Sequence, residues 1–380
     1  MPETTIKSRS SHPAIKRLSF LILITGLFGM VLSPDRSVTA TDEATKKVYL
    51  PILAASYRNS PPILLGVYPP DYLGTQDAIN SNLKDLDRWA GKNTTIVATF
   101  MDFEFPNAGY NVRVPLELLW DNGYTAFVNL MSQHSASDIA QGREDNDIRT
   151  YAAAFAYWVA LAKQDNQQRL VFLAPMPEGN ITNGNAYGGD PQAFKSAFWR
   201  IQDIFADEFS KQNVPFETIK WVFAPNGVDE PGRPTFEAFY PGDDATDIVG
   251  FSSYNLGYCV HWEYDRWQLG PELYLPFVQR MRSLAPGKPI FISQTGSSAE
   301  YPSPGNFDHD KKSEWFIDAY GYLTTLDGVR AILYFNIDAG CDYSFFRSGS
   351  LYFDGYRQVI QSSAFENLSP SEMIDAFSPY

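Results

Sequence analysis

Eight short apolar segments, most of them parted by stretches of helical periodicity, constrain this chain more than any other feature. They lie at 64–70, 95–103, 124–131, 169–178, 220–226, 247–255, 289–296 and 329–338. Helical patterns fall between them at 76–90, 115–122, 147–163, 191–212, 271–284 and 309–326. Short apolar runs bounded by turn residues read as buried strands, and their alternation with helices calls for a parallel sheet covered by those helices. Eight such units over roughly 270 residues predict an α/β fold: one (β/α)8 TIM barrel, a single domain over 64–365. An open doubly wound sheet is the alternative. It usually has fewer strands and a glycine-rich first turn, and LLGVYPPDYLG at 64–74 is no phosphate loop.

The flanks carry separate signals. Lys7, Arg9, Lys16 and Arg17 precede the apolar run 18–32, and the small-residue site Val38-Thr39-Ala40 follows. This is the order of a secretory signal, so residues 1–40 are expected to be removed and the protein to be extracellular, without stable membrane association. An uncleaved membrane anchor is the alternative. Residues 41–63 read as a linker or N-terminal arm, and 366–380 as a C-terminal tail. The 2 cysteines, Cys259 and Cys341, are free to pair in an exported chain, and their spacing does not decide whether they do. The 4 histidines are scattered, so neither a metal nor another cofactor is expected.

Charge narrows the partners. A formal charge of -14 repels a polyanion, which sets nucleic acid aside and disfavours acidic polysaccharides. A neutral ligand fits best. Aromatic residues make up 15% of the chain, more rings than a core requires, and stacking on flat ligand faces would use the surplus.

In such a barrel the site forms at the carboxyl ends of the strands. The polar residues there are Tyr68, Asp71, Asp102, Glu104, Asn129, Glu178, Asn180, Asn226, Tyr254, Asn255, Gln294, Asn336 and Asp338. They contain no Ser, His and acid set of the esterase or peptidase kind. Glu178 and Gln294 are expected to face each other across one cleft. Glycoside hydrolysis uses two carboxyl groups, one to protonate the leaving oxygen and one to attack the sugar or activate water. Trp221, Tyr254, Trp262 and Tyr334 are the candidate stacking or hydrogen-bonding surfaces.

Four ordered segments carry a resemblance over about 64–347. APMPEGN at 174–180 is similar to the RPxHEMN segment of glycoside hydrolase family 26, and WVFAPN at 221–226 to that family's fifth-strand segment. FYPGDDATDIVGFSSYN at 239–255 is close to its YPGDxYVDIVGxxxYN signature, and KPIFISQTG at 288–296 resembles KPxxIxETG. The family comprises secreted barrel enzymes, chiefly endo-β-1,4-mannanases with some β-1,3-xylanases and lichenases. The resemblance implies Glu178 as catalytic acid/base and Gln294 at the nucleophile position, where the family has Glu. Asn180, Trp221, Asn226 and Tyr254 lie in the matched segments; with Trp262 and Tyr334 from the chain pattern they are the expected substrate-binding residues, the partner expected is a polysaccharide or oligosaccharide, and the chain is expected to be a monomer. Ala174, Pro177 and Gly179 depart from the family's Arg, His and Met. Gln294 leaves three expectations: a sugar-binding relative without turnover, an inverting enzyme using Glu300 or Glu104 as base, or a replacement engineered to trap substrate.

Overall fold

A computed structural model describes residues 60–164, 166–182, 184–259 and 266–378. Eight parallel strands close into a barrel: β1 Ile63–Tyr68, β2 Ile96–Asp102, β3 Thr125–Met131, β4 Val171–Pro175, β5 Ile219–Phe223, β6 Ile248–Asn255, β7 Ile290–Ser297 and β8 Val329–Phe335. Neighbours pair in sequence order, and β1 pairs with β8 from Leu64↔Ala331 to Tyr68↔Phe335, which removes both sheet edges. Helices Ala108–Asp121, Asp145–Gln164, Pro191–Lys211, Gly270–Leu284 and His309–Leu323 form most of the outer ring. The (β/α)8 barrel expected from the alternation is the observed fold.

The period of two along each strand builds two apolar layers. Leu64, Ile96, Phe127, Phe172, Val222, Phe291 and Leu333 belong to the cluster inside the barrel, and Phe172 and Phe291 meet edge to face at 5.2 Å. Leu65, Val97, Val128, Leu173, Phe223, Ile292 and Ile332 pack outward with the helices. Fully burying each such side chain contributes about 1.5–3 kcal/mol.

Three details differ from the sequence reading or complete it. The helix expected from Pro115 begins at Ala108 and carries Pro115 in its interior, at the cost of one hydrogen bond to the carbonyl of Asn111. The segment expected as a tail belongs to the barrel. Phe365 and Glu366 pair with Ile63 and Leu64 of β1, and helix Pro370–Phe377 seats Phe377 against Phe172 and Phe291, closing the amino-terminal end. Cys259 and Cys341 form a disulfide with Cα atoms 5.7 Å apart, joining the segments that follow β6 and β8. The expected signal and most of the arm lie outside the described residues. Among the described residues no helix is long and apolar enough to cross a membrane.

Candidate active site

Glu178 is presented by a tight turn directly after β4. Met176 and Glu178 hold φ of 50° and 57°, a left-handed backbone that long L side chains rarely adopt. The turn is over-determined. The Glu178 N–H donates to Ala224 O at 2.8 Å, and its carbonyl accepts from Ile181 N and Asn185 Nδ2, each at 3.1 Å. Its carboxylate Oε1 accepts from Asn226 Nδ2 at 3.1 Å and from Ser252 Oγ. Burial raises the carboxyl pKa above the ordinary value, and the hydrogen bonds from Ser252 and Asn226, which favour the anion, offset part of that rise. Glu178 still keeps part of its surface accessible.

Gln294 reaches the same end of the barrel through an irregularity in β7. Phe291 points into the barrel and Ile292 outward, so strict alternation would turn Gln294 toward the helices. The β6–β7 register steps from Phe251↔Ile292 to Ser252↔Gln294, skipping Ser293. The bulge re-aims the next side chain. Thr295 accordingly points outward, where its hydroxyl meets Tyr274 Oη at 3.1 Å, while Gln294 Oε1 accepts from Tyr254 Oη at 2.8 Å. Gln294 Nε2 donates to no described residue. Asn226 pairs with Ser252 as an isolated bridge, so Asn226, Ser252 and Gln294 form one row across three strands, and Glu178 leans over its near end.

Phenols surround this row. Tyr68 Oη donates to Ser293 O at 2.8 Å and accepts from Asn129 Nδ2 at 2.9 Å, supporting the bulge from below. Tyr254 stands with Tyr343 at 5.1 Å and Phe335 at 5.9 Å. Burial raises the pKa of Tyr254, Tyr68, Tyr187 and Tyr343, and the Glu178 charge adds to each rise. Tyr254 and Tyr343 stand beside Gln294, Tyr68 lies beneath the bulge, and Tyr187 donates to Pro177 O next to Glu178.

Not every sequence candidate joins it. Trp221 is a correction: Val222 and Ala224 take the inward positions of β5, so Trp221 faces outward and packs on Phe198, Phe205 and Phe216. Tyr334 is another, for the same reason. Leu333 and Phe335 point inward, and Tyr334 lies under Phe316 and Phe345 with its hydroxyl on Tyr343 O at 2.8 Å. Asn180 is 1% exposed, its amide bonded both ways to the Asn226 backbone at 2.8 and 2.9 Å, so it braces Asn226 rather than meeting a ligand. Trp262 lies outside the described residues. Glu104 accepts from Ser132 Oγ and Gln133 N, and Glu300 from Gly305 N in its own loop. Both carboxylates are engaged by donors of nearby loops rather than by the row.

Sequence reasoning passed over Ser252 and Tyr343. Ser252 had a signal: it lies two positions before Tyr254 and therefore on the same face of β6. Tyr343 had none, because it arrives from a loop after β8. Gly296 admits it, since a Cβ there would lie 3.0 Å from Tyr343 Cδ1.

No protein-family profile matches the chain, and no curated protein matches it by sequence. Solved structures do. A GH26 β-mannanase from Bacteroides ovatus superposes with TM-score 0.57 at 12% identity, over 84% of this chain and 93% of that one. A modular endo-β-1,4-mannanase from Cellulomonas fimi gives 0.57 at 14% identity, over 84% and 74%. A β-mannanase from a symbiotic protist of the termite Reticulitermes speratus, solved with a gluco-manno-oligosaccharide, gives 0.52 at 16%, over 82% and 90%. The fold is a family 26-like barrel. At these identities the likeness extends to the fold alone.

Proposed function

We propose that this protein is a glycoside hydrolase of the family 26 type whose cleft takes a neutral β-linked polysaccharide such as mannan, with Glu178 as acid/base. The observation that carries this reading is the Glu178 carboxyl, raised in pKa by burial and held on one oxygen by Ser252 and Asn226 beside Gln294. A carboxylic acid whose pKa is raised above the ordinary carboxyl value is the kind of group that protonates a departing glycosidic oxygen. Gln294 occupies the place where a retaining reaction needs its nucleophile. An amide brings no negative charge to an oxocarbenium-like transition state and forms no glycosyl ester; its free N–H groups would donate to a sugar oxygen instead. Turnover by this chain would then proceed by direct attack of water on the anomeric carbon while Glu178 protonates the leaving oxygen; the attacking water would release its proton to bulk solvent, from which Glu178 would be reprotonated for the next cycle. Residues 1–40 would be removed on export, and the chain would act outside the cell as a monomer without a cofactor.

A second reading, a carbohydrate-binding relative without turnover, is favoured by Gln294 itself. Reducing-sugar release from mannan, xylan and mixed-linkage glucan separates the two. On the hydrolase reading, wild type releases sugar, Glu178→Ala abolishes the release, and Gln294→Glu raises it. Binding without release by wild type supports the second reading. Neither binding nor release by wild type and Gln294→Glu would end both.

A further inference from the structure

Three ligating side chains converge beside the ends of β2 and β3, apart from the row of Glu178 and Gln294. Glu104 lies two residues past β2, His134 three past β3, and Glu144 immediately precedes helix Asp145–Gln164. His134 Nδ1 stands 3.3 Å from Glu144 Oε1, and its Nε2 stands 3.7 Å from Glu104 Oε1. One ligating atom from each residue falls within 4.8 Å of the other two. A zinc-sized ion at about 2.0–2.2 Å from its donors holds them roughly 3.5 Å apart, so small side-chain movements would close the set around a cation.

Two features set this apart from a solvated acidic patch. Glu144 is 8% exposed, and its carboxylate faces the His134 ring at 3.3 Å, with a Glu104 ligating atom within 4.8 Å. Two carboxylates drawn this close, one of them largely buried, repel unless a cation lies between them. Glu104 and His134 are oriented in advance. Ser132 Oγ donates to Glu104 Oε1 at 2.6 Å and accepts the His134 backbone N–H at 2.9 Å, and Gln133 N donates to both Glu104 oxygens. One serine thus sets two of the three ligands, as the groups that hold metal ligands in place commonly do.

We propose that Glu104, His134 and Glu144 form a binding site for a divalent cation of the zinc class at the rim of the barrel mouth. The donor set selects the ion. An imidazole with two carboxylates suits zinc, whereas calcium and magnesium prefer oxygen ligands alone. Three protein ligands leave room for water, and the bound ion clasps the turns after β2 and β3 to the start of helix Asp145–Gln164. The competing arrangement is an imidazolium held between two carboxylates, which takes up no cation.

The test is independent of any action on sugars. The full chain is stripped with a chelator and titrated calorimetrically with Zn2+ at pH 7.5, with Ca2+ and Mg2+ as comparison ions. One equivalent of Zn2+ bound in preference to the other two, and weakened at least about tenfold by His134→Ala and by Glu144→Gln, is expected. Absence of Zn2+ binding, or binding unchanged in both variants, would overturn the site. Should either variant fail to fold, the ring 15N shifts of His134 in the wild type decide: movement on adding Zn2+ supports coordination, and no movement refutes it.

Discussion

The Ser252 hydroxyl donates to the Glu178 carboxylate from the β6 position that faces Gln294 in register. One short side chain therefore ties the candidate acid to β6, the strand that pairs with the one carrying the neutral amide. A donor to a carboxylate favours the anion, so Ser252 holds the Glu178 pKa below the value that burial alone would set. Ser252→Ala should raise that pKa further. Because the acid is active with its proton on, the alkaline limb of the pH–rate profile should move to higher pH; a 13C titration of the Glu178 carboxyl reads the same shift without turnover. A limb and a titration that move to lower pH would contradict the geometry.

Glu178 should also cost stability at neutral pH. Its folded-state pKa is raised, so the native chain retains a proton at pH values where the unfolded chain has released it. That contribution is complete below the unfolded carboxyl pKa and is lost as pH rises through the folded one. Glu178→Gln, which does not titrate, should therefore gain on wild type as pH rises from 4 to 8. Urea unfolding at both pH values checks this. An equal stability difference at the two pH values would mean that the carboxyl is not shifted in the folded state.

Trp221, expected in the cleft, lies on the helix side of β5. Trp221→Ala should cost about 3–5 kcal/mol of stability by emptying the space between Phe198, Phe205 and Phe216. Oligosaccharide affinity measured on the folded fraction should be unchanged. A variant of normal stability with tenfold weaker binding would return Trp221 to the cleft.

The contrast between Trp221 and Gln294 shows what could be read from the chain. Barrel closure was legible because each strand carries its own apolar run and turn signals. Which face turns inward was not legible: Trp221 alternates with Val222 and Ala224, and Tyr334 with Leu333 and Phe335, both sets apolar, so only the closed barrel assigns the two rings to the helix side by strand alternation. At β7 the same rule fails. It would point Gln294 outward, and only the bulge at Ser293, supported by the Tyr68 hydroxyl, turns the amide into the mouth. A bulge depends on register with neighbouring strands, which local sequence does not specify. The convergence of Glu104, His134 and Glu144 was hidden for a related reason, because their ligand spacing exists only after the turns have folded.

Lys312 offers a pH test away from the cleft. It is 1% exposed, with its ammonium on Ser344 O at 2.8 Å and Asp342 O at 3.3 Å, and burial lowers its pKa to about 7 despite the nearby Asp342 carboxylate. Between that value and the unfolded value of 10.5 the native chain binds fewer protons than the unfolded one, so stability rises with pH through this window and is lost as pH falls through 7. The stability of wild type relative to Lys312→Met should grow by roughly 2 kcal/mol from pH 7 to pH 9. A relative stability that is flat over that range would show that the lysine keeps its ordinary pKa.

The Cys259–Cys341 bond reaches from the segment after β6 to the loop that delivers Tyr343 against Tyr254. It spans 82 positions of sequence, so the unfolded chain loses considerable freedom when the bond is closed. Replacing both cysteines by serine should lower stability by roughly 2–4 kcal/mol. Tyr343 should then hold Tyr254 less firmly, and because Tyr254 donates to Gln294 Oε1, oligosaccharide affinity should fall together with stability. Thermal unfolding of the double variant beside the wild type, with titration of an oligosaccharide well below the transition, separates the two effects. Lower stability with unchanged affinity would confine the bond to a structural role, and unchanged stability would mean that the two segments are held without it.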